Sequence, residues 1–436
     1  MQTIFTRRKF LQTSSAAAAG LWLGGITSGQ GARKLSPNEK LNIGVIGTAN
    51  RAGENLREVS SQNIVAICDV DDKFLNAAGE KYPSAKKYND FRKLMDQKDI
   101  DAIVVGTPDH THAVACMAAL RSGRHLYCEK PLARTISEVR LITDTARKKK
   151  LVTQIGTQIH AGTNYRRVVE LVQSGAIGPV AEVHVWVAAT YGGKKKPTDR
   201  PPVPPNLHYD LWLGPIPEIP YHPEYVPFHW RNWWAFGGVA LADFGCHLMD
   251  LPHWALNLRY PLSVETEGPP VDPHGPPPWL IARYEYPARK RNKNLEQPAV
   301  KLTWYHGGKQ PSLLSPEQAA KWKSGVLFIG TKGMLLADYG KHVLLPEKDF
   351  EGFVRPEPFI PDSIGHHKEW IEACKTGGKP TCHFDYSGPL TEAALLGNVA
   401  FRSGKKIEWD PKKLRAKNCK EAQEYIQHHY RKGWKI

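Results

Sequence analysis

A chain of 436 residues is long for one compact core, so two domains are the default expectation. Its 41% hydrophobic and 23% charged residues describe an ordinary folded protein and exclude a disordered one. A formal charge of +16 would suit a nucleic-acid partner, but the clusters 148–150, 194–196 and 289–291 fall at element ends or in loops, and no nucleic-acid motif accompanies them; a solvated basic surface is the simpler reading.

Residues 1–32 read as an address. Thr6-Arg7-Arg8-Lys9-Phe10-Leu11-Gln12 precedes a mild apolar stretch from Ala16 to Ile26, then small and polar residues. That stretch is too short and too weakly apolar to span a bilayer. The Arg7-Arg8-x-Phe10-Leu11 core resembles a twin-arginine export signal, which implies a periplasmic or otherwise exported protein, with no membrane contact once the signal is removed. The seven cysteines show neither zinc-ligand spacing nor a CxxC pair, so no metal site is expected and the thiols are read as free and buried.

Residues 38–157 read as a doubly wound α/β domain. Leu41–Ile46 is a short apolar run ending at Gly47, as in a buried parallel strand, and a helix follows from Ala52 to Val59. Asn63–Cys68 is a second strand with Asp69 at its carboxyl end. Strand, turn, helix, strand and acid is the order that holds a dinucleotide, with the pyrophosphate at the helix N-terminus and the carboxylate on a ribose diol. The turn Gly47-Thr48-Ala49-Asn50-Arg51-Ala52 departs from G-x-G-x-x-G/A by placing a methyl group at the middle glycine. Asp69 favours NAD, since a carboxylate repels a 2′-phosphate; the nearby cations Arg51 and Lys73 leave NADP open. Strands at Ala102–Gly106 and His125–Cys128 run into the polar loops Thr107-Pro108-Asp109-His110-Thr111-His112 and Glu129-Lys130-Pro131, at the strand ends where such sheets bind ligands.

Beyond residue 158 the pattern changes to an α+β domain with a large, open, mostly antiparallel sheet. Val183, Val185 and Val187 alternate with His184 and Trp186, and short strands recur at Leu280–Tyr286, Val300–Tyr305, Val326–Ile329, Met334–Asp338 and His342–Leu345. A proline-rich loop from Pro197 to Pro227 interrupts them; a loop of that length is functional or an arm onto a partner subunit. After Gly237-Gly238 one helix is expected from Val239 to Leu256, with Asp243 and His247 four apart on one face and Asp250 near it.

These motifs together resemble the glucose–fructose oxidoreductase / inositol dehydrogenase (Gfo/Idh/MocA) family. The resemblance rests on Ile67-Cys68-Asp69, Thr107-Pro108-Asp109-His110-Thr111-His112, Glu129-Lys130-Pro131, Gly156-Thr157-Gln158, Tyr165–Gly178 and Asp243-x-x-x-His247. It implies that Thr107, Pro108 and His112 line the cofactor and that Glu129 and Lys130 sit by the nicotinamide ribose. Asp243 and His247 would face the nicotinamide from the second domain, and the chain would form a homo-oligomer. The chemistry fits: removing hydride from a sugar carbon needs a base for the hydroxyl proton, and imidazole titrates in the useful range. His247 is therefore the expected acid/base, with Asp243 fixing its tautomer and Lys130 holding the same proton. Gln158, Arg231, Trp233 and His366 are weaker candidates for substrate contact. The expected activity is NAD(P)-dependent oxidation of a sugar, polyol or glycoside hydroxyl with a tightly bound, internally recycled cofactor, since an exported enzyme has no NAD pool to draw on. Two alternatives stay open: a redox-neutral NAD-dependent glycoside hydrolase, and a non-catalytic sugar-binding protein, which only Ala49 favours.

Overall fold

The computed structural model describes residues 39–292 and 295–436, and the proposed export segment at 1–32 lies outside them. Asn42–Ile46 (β1), Asn63–Cys68 (β2), Lys86–Tyr88 (β3), Ala102–Val105 (β4), His125–Cys128 (β5) and Thr153–Ile155 (β6) form one sheet in the order β3-β2-β1-β4-β5-β6. Every neighbouring pair is parallel. Parallel strands need helical crossovers that cover both faces, which is why β4 and β5 read as uninterrupted buried runs. The strand order reverses between β1 and β4, so their carboxyl ends, Gly47 and Gly106, flank the crevice where such sheets hold ligands. The helix after β1 begins at Asn50, two residues before the expected Ala52.

The second sheet is built from Val180–Val187 (β7), Ser263–Glu267 (β8), Leu280–Tyr286 (β9), Val300–His306 (β12), Ser324–Gly330 (β13), Gly333–Ala337 (β14), His342–Leu345 (β15), Ile407–Asp410 (β16) and Arg415–Ala416 (β17); Arg289–Asn292 (β10) and Leu295–Gln297 (β11) form a separate hairpin. Its order is β15-β14-β13-β7-β12-β9-β8-β16-β17, antiparallel throughout except for the parallel pair β7 and β12. Period-two burial follows directly: Leu280, Ala282, Tyr284 and Tyr286 on β9 point inward, as do Val300, Leu302, Trp304 and His306 on β12.

The expected helix over 239–256 is two helices, Val239–Leu248 and Asp250–Leu256, meeting at Met249. Pro252 has no N–H to continue the ladder across that junction. The proline-rich segment folds back over its own first domain. Leu207 makes an isolated bridge with Asp71, Asp72 donates its N–H to the Asn206 carbonyl at 2.9 Å, and His208 donates to the Val70 carbonyl at 2.9 Å. Tyr209, Trp212, Tyr225, Trp230, Trp233 and Phe236 give the segment a small core of its own. The seven cysteines are buried and free, and among the described residues no helix is long and apolar enough to cross a membrane.

A buried fastening joins the two sheets' helices. Arg140, on the helix Ile136–Lys149, forks onto Glu392 of the helix Phe384–Ser403 with bonds of 2.8 and 2.7 Å. Burial pushes the Glu392 carboxyl up to about 7 against the pull of Arg140. Substituting Arg140→Met should cost about 3–5 kcal/mol in denaturant unfolding, more at pH 8 than at pH 5, because the carboxylate left behind is buried and alone. Adding Glu392→Leu should restore most of that loss; no recovery in the double variant would show that the guanidinium acts through packing instead.

Candidate active site

The turn after β1 makes a dinucleotide cradle. Gly47 adopts φ +90, and a Cβ there would lie 3.0 Å from the Gly106 carbonyl and 3.1 Å from the Ala52 methyl. Only glycine allows the approach. Ala49, by contrast, is extended at φ −119, so its methyl group needs no left-handed backbone; that conformation falls instead on Asn50, at φ +51. Ala49 supplies no side-chain cap and the first turn of the helix carries no acid, which leaves its N–H groups open to an anion. Asp69 receives the N–H and the hydroxyl of Thr48, both at 2.9 Å, and the Asp71 N–H at 3.0 Å; burial raises its pKa against these bonds. Thr107 and Pro108, after β4, line the same cleft. These features fit NAD: close backbone approach at the turn, free donors at a helix N-terminus and a carboxylate at the end of β2.

The cleft spans about 1150 Å³ counting its open mouth, and its far wall is not part of the first domain. Val226 and Pro227 end the proline-rich segment, Phe228, Trp230 and Arg231 directly follow it, and Trp434 comes from the C-terminus. Trp434 lies beside Phe91, ring centroids 6.0 Å apart, and the Arg92 guanidinium sits 4.5 Å over its ring.

Beyond the cleft lies the polar cluster. Glu129 is buried, with Asn55 and Gln158 donating to its Oε1 at 2.9 and 2.8 Å; burial raises its pKa against these donors and the Lys130 and Arg51 charges. Lys130 reaches across to the second domain, its Nζ donating to Asp243 Oδ1 at 2.6 Å and to the Asp243 carbonyl at 3.0 Å. Tyr191 donates to Asp243 Oδ2 at 3.0 Å, and Arg231 Nε lies 3.8 Å from Oδ1. Burial opposes ionisation of Asp243, yet the Lys130 and Arg231 charges outweigh it and hold the carboxyl below its usual range.

The expected pairing of Asp243 with His247 is electrostatic only: the Asp243 charge works to raise the basicity of His247, but no hydrogen bond joins them to fix its tautomer. Lys130, Tyr191 and Arg231 occupy the carboxylate, and Nδ1 of His247 is buried with no hydrogen-bond partner. Burial and then the Lys130 charge hold His247 well below the ordinary imidazole range, so the ring is neutral near pH 7 with a nitrogen uncommitted.

Other residues singled out by sequence fall elsewhere. The ring nitrogens of His112 face the Pro131 and Thr107 carbonyls at 2.8 and 2.7 Å, and burial pushes the group down to about 4; it braces the two ligand loops from behind and does not line the cleft. Gln158 is turned onto Glu129 and the Tyr127 hydroxyl. Trp233 is buried in the proline-rich segment's core, donating to the Glu224 carbonyl at 2.9 Å, and His366 Nε2 meets the Ile155 carbonyl at 2.8 Å. Gln158 and Trp233 are committed to the protein, His366 is so through Nε2 while its Nδ1 has no partner, and Arg231 lines the cleft and reaches Asp243. Asp250 is bound by His160 and Tyr386, apart from the Lys130 pair. Sequence reading missed Tyr191, Asn55 and Trp434. The last two carried no local signal, and Tyr191-Gly192-Gly193 offered only a turn.

Residues 41–157 match the Gfo/Idh/MocA profile described as "Oxidoreductase family, NAD-binding Rossmann fold", and residues 161–290 match its companion, "Oxidoreductase family, C-terminal alpha/beta domain". The chain belongs to the Gfo/Idh/MocA oxidoreductase family. It is 31% identical over 150 residues to the Inositol 2-dehydrogenase of Salmonella typhimurium, covering 33% of this chain and 45% of that protein. It is 33% identical over 194 residues to a Glycosyl hydrolase family 109 protein of Solibacter usitatus, covering 40% of this chain and 43% of that one. The chain thus spans less than half the length of these curated relatives. The solved WlbA dehydrogenase from Bordetella pertussis, in complex with NADH and UDP-GlcNAcA, superposes with a TM-score of 0.60 at 17% identity, covering 85% of this chain and 99% of that one. The aldose-aldose oxidoreductase from Caulobacter crescentus gives 0.56 at 16% identity, covering 85% and 100%. These two likenesses show the fold.

One buried acid next to the cluster has a thermodynamic signature. Asp109 accepts the Gly238 N–H at 2.9 Å, and burial, with the Asp243 charge adding to it, pushes its pKa up to about 7. A raised carboxyl holds its proton in the folded state after the unfolded chain has released it, so it lowers stability as pH rises from about 4 to 7. Asp109→Asn keeps an acceptor for Gly238 and removes that slope. The variant should gain about 1–2 kcal/mol over wild type at pH 8 relative to pH 5. Parallel stability–pH curves for the two proteins would contradict the assignment.

Proposed function

We propose that this protein oxidises a hydroxyl of a sugar, polyol or glycoside with an NAD that stays bound between turnovers. The observation that carries the reading is the 2.6 Å pair of Lys130 and Asp243 beside a neutral His247 with a free Nδ1. NAD, when bound, supplies the hydride acceptor. The protein's task is then the hydroxyl proton. Lys130, aimed by Asp243, donates a hydrogen bond to the substrate oxygen, and the neutral His247 takes the proton. Tyr191 and Arg231 keep Asp243 ionised, so the charge at Lys130 stays balanced as the oxygen becomes a carbonyl. The curated relatives named as inositol dehydrogenases support a polyol or sugar substrate.

Retention of the cofactor is supported by the wall of the cleft. A dinucleotide lying along the Gly47 turn would lie against Phe228, Trp230 and Trp434, whose contacts would slow its release. Export through the twin-arginine route, which Arg7-Arg8 and Phe10-Leu11 suggest, would make such retention necessary, because no NAD pool lies outside the cytoplasm.

A second reading has its own support: relatives named Glycosyl hydrolase family 109 protein match this chain. A retained cofactor could oxidise a glycoside, allow elimination and addition of water, and then return its hydride, with no net redox change. One experiment separates the readings. Natively purified protein, denatured and analysed by mass spectrometry, should release NAD; the native protein is then offered sugars, polyols and nitrophenyl glycosides while absorbance at 340 nm and aglycone are followed together. Reduction at 340 nm by a free sugar or polyol, without aglycone, supports the oxidoreductase; aglycone with no net change at 340 nm supports the hydrolase. Absence of nucleotide, together with failure to bind NAD after refolding, would overturn both and leave a binding protein. Trp434→Ala should release NAD at least about tenfold faster, the loss of roughly one stacking contact.

A further inference from the structure

A second cavity lies behind the helix Val239–Leu248 that carries Asp243 and His247, between the turn Gly237-Gly238 and the C-terminal segment. Its space, about 340 Å³ counting the open mouth, has room for no more than a small ion and is too small for a nucleotide. Its lining carries three basic side chains, Arg134, Arg402 and His428, and no acid. Arg134 donates from Nη1 to the Ala235 carbonyl at 2.6 Å, while its Nε is buried with no partner. Arg402 is held by ring faces alone, 5.1 Å over Trp234 and 4.0 Å over Tyr425. Among the described residues no carboxylate comes within ion-pair distance of either guanidinium. Glu138, the acid that acts most strongly on Arg134, is occupied: its Oε1 accepts the Tyr430 hydroxyl at 2.5 Å and its Oε2 the Thr135 N–H at 2.9 Å.

Two guanidinium groups facing one cavity without a counterion are an electrostatic cost that a protein ordinarily relieves with an anion. Burial, with repulsion from Arg134 adding to it, depresses Arg402 to about 10 against the opposing pull of Tyr425 and Glu424. His428 is pushed down to about 3 by burial and the same two arginines, so it enters as a neutral donor. Planar guanidinium forks match tetrahedral oxyanions, each offering parallel N–H donors.

We infer that this cavity binds one small inorganic oxyanion, of the phosphate or sulfate class, between Arg134 and Arg402. The ion would also brace the start of the helix Val239–Leu248. Gly237 and Gly238 form part of the cavity wall, and Gly238 is already held on its other sides by Asp109 at its N–H and by Asn398, which donates to its carbonyl at 2.7 Å. The site stands apart from the dinucleotide cleft, with which it shares no lining residue, and goes beyond the oxidoreductase reading.

The test uses the full chain saturated with NAD, so that the Gly47 turn is closed to competing anions. Thermal unfolding is followed against inorganic phosphate, with sodium chloride balancing ionic strength. Wild type should show a saturating rise in Tm that sulfate reproduces, and Arg402→Gln should abolish it. A rise no larger than chloride gives, or an equal rise in wild type and Arg402→Gln, would overturn the site. Should Arg402→Gln fail to fold, equilibrium dialysis of radiolabelled phosphate against NAD-saturated wild type decides. Near one phosphate per chain, weakened about tenfold by His428→Leu, supports the site; stoichiometry near zero, or binding unchanged in His428→Leu, overturns it.

Discussion

The architecture turns on one ion pair that crosses the domain boundary. Lys130 stands at the end of a buried parallel strand and Asp243 on a helix of the other domain, and 2.6 Å separates Nζ from Oδ1. Both side chains are nearly buried, at 13% and 10% exposure. Such a pair is costly unless each partner finds further bonds, because desolvating two charges rivals the attraction between them. Here each does: Lys130 also bonds the Asp243 carbonyl, and Tyr191 and Arg231 complete the carboxylate. What results is a fixed N–H donor near an imidazole that burial keeps neutral, the pairing on which the proposed chemistry rests.

Backbone arrangements on both sides serve that pair. The helix Val239–Leu248 opens at Val239 with φ +50, a left-handed conformation that a β-branched residue adopts only under constraint. The constraint is visible. Gly238, just before it, is pinned at its N–H by Asp109 and at its carbonyl by Asn398. On the other side, Gly156 makes room for Glu129: a Cβ there would lie 2.5 Å from Oε2 of the buried carboxyl, so any larger residue would displace the acid beside Lys130.

How much of this was legible in the sequence follows from what each feature depends on. Gly47, Asp69, Glu129 and Lys130 were readable because strand, turn and acid fall within short stretches whose local geometry decides their place. The proline-rich segment was visible as an interruption, but its docking against Val70–Asp72 depends on contacts more than a hundred residues apart. The inferred Asp243–His247 partnership shows the opposite failure. Spacing of four placed both groups on one face, yet a charged lysine and a tyrosine from other elements compete better for the carboxylate than a neutral imidazole does. Trp434 was invisible for a simpler reason: nothing in Lys432-Gly433-Trp434 says that the last turn of chain closes the first domain's cleft.

The central claim, that Lys130 acts on the reacting oxygen and not merely on the fold, has a direct test. The sugar or polyol that reduces bound NAD fastest in wild type is mixed with NAD-loaded Lys130→Met in a single-turnover experiment at 340 nm, with NAD affinity measured alongside. NAD binding should stay within about threefold of wild type while the reduction step slows by roughly 10²–10⁴, the usual contribution of a positioned proton-transfer group. A reduction rate like that of wild type, with NAD still bound, would contradict the account.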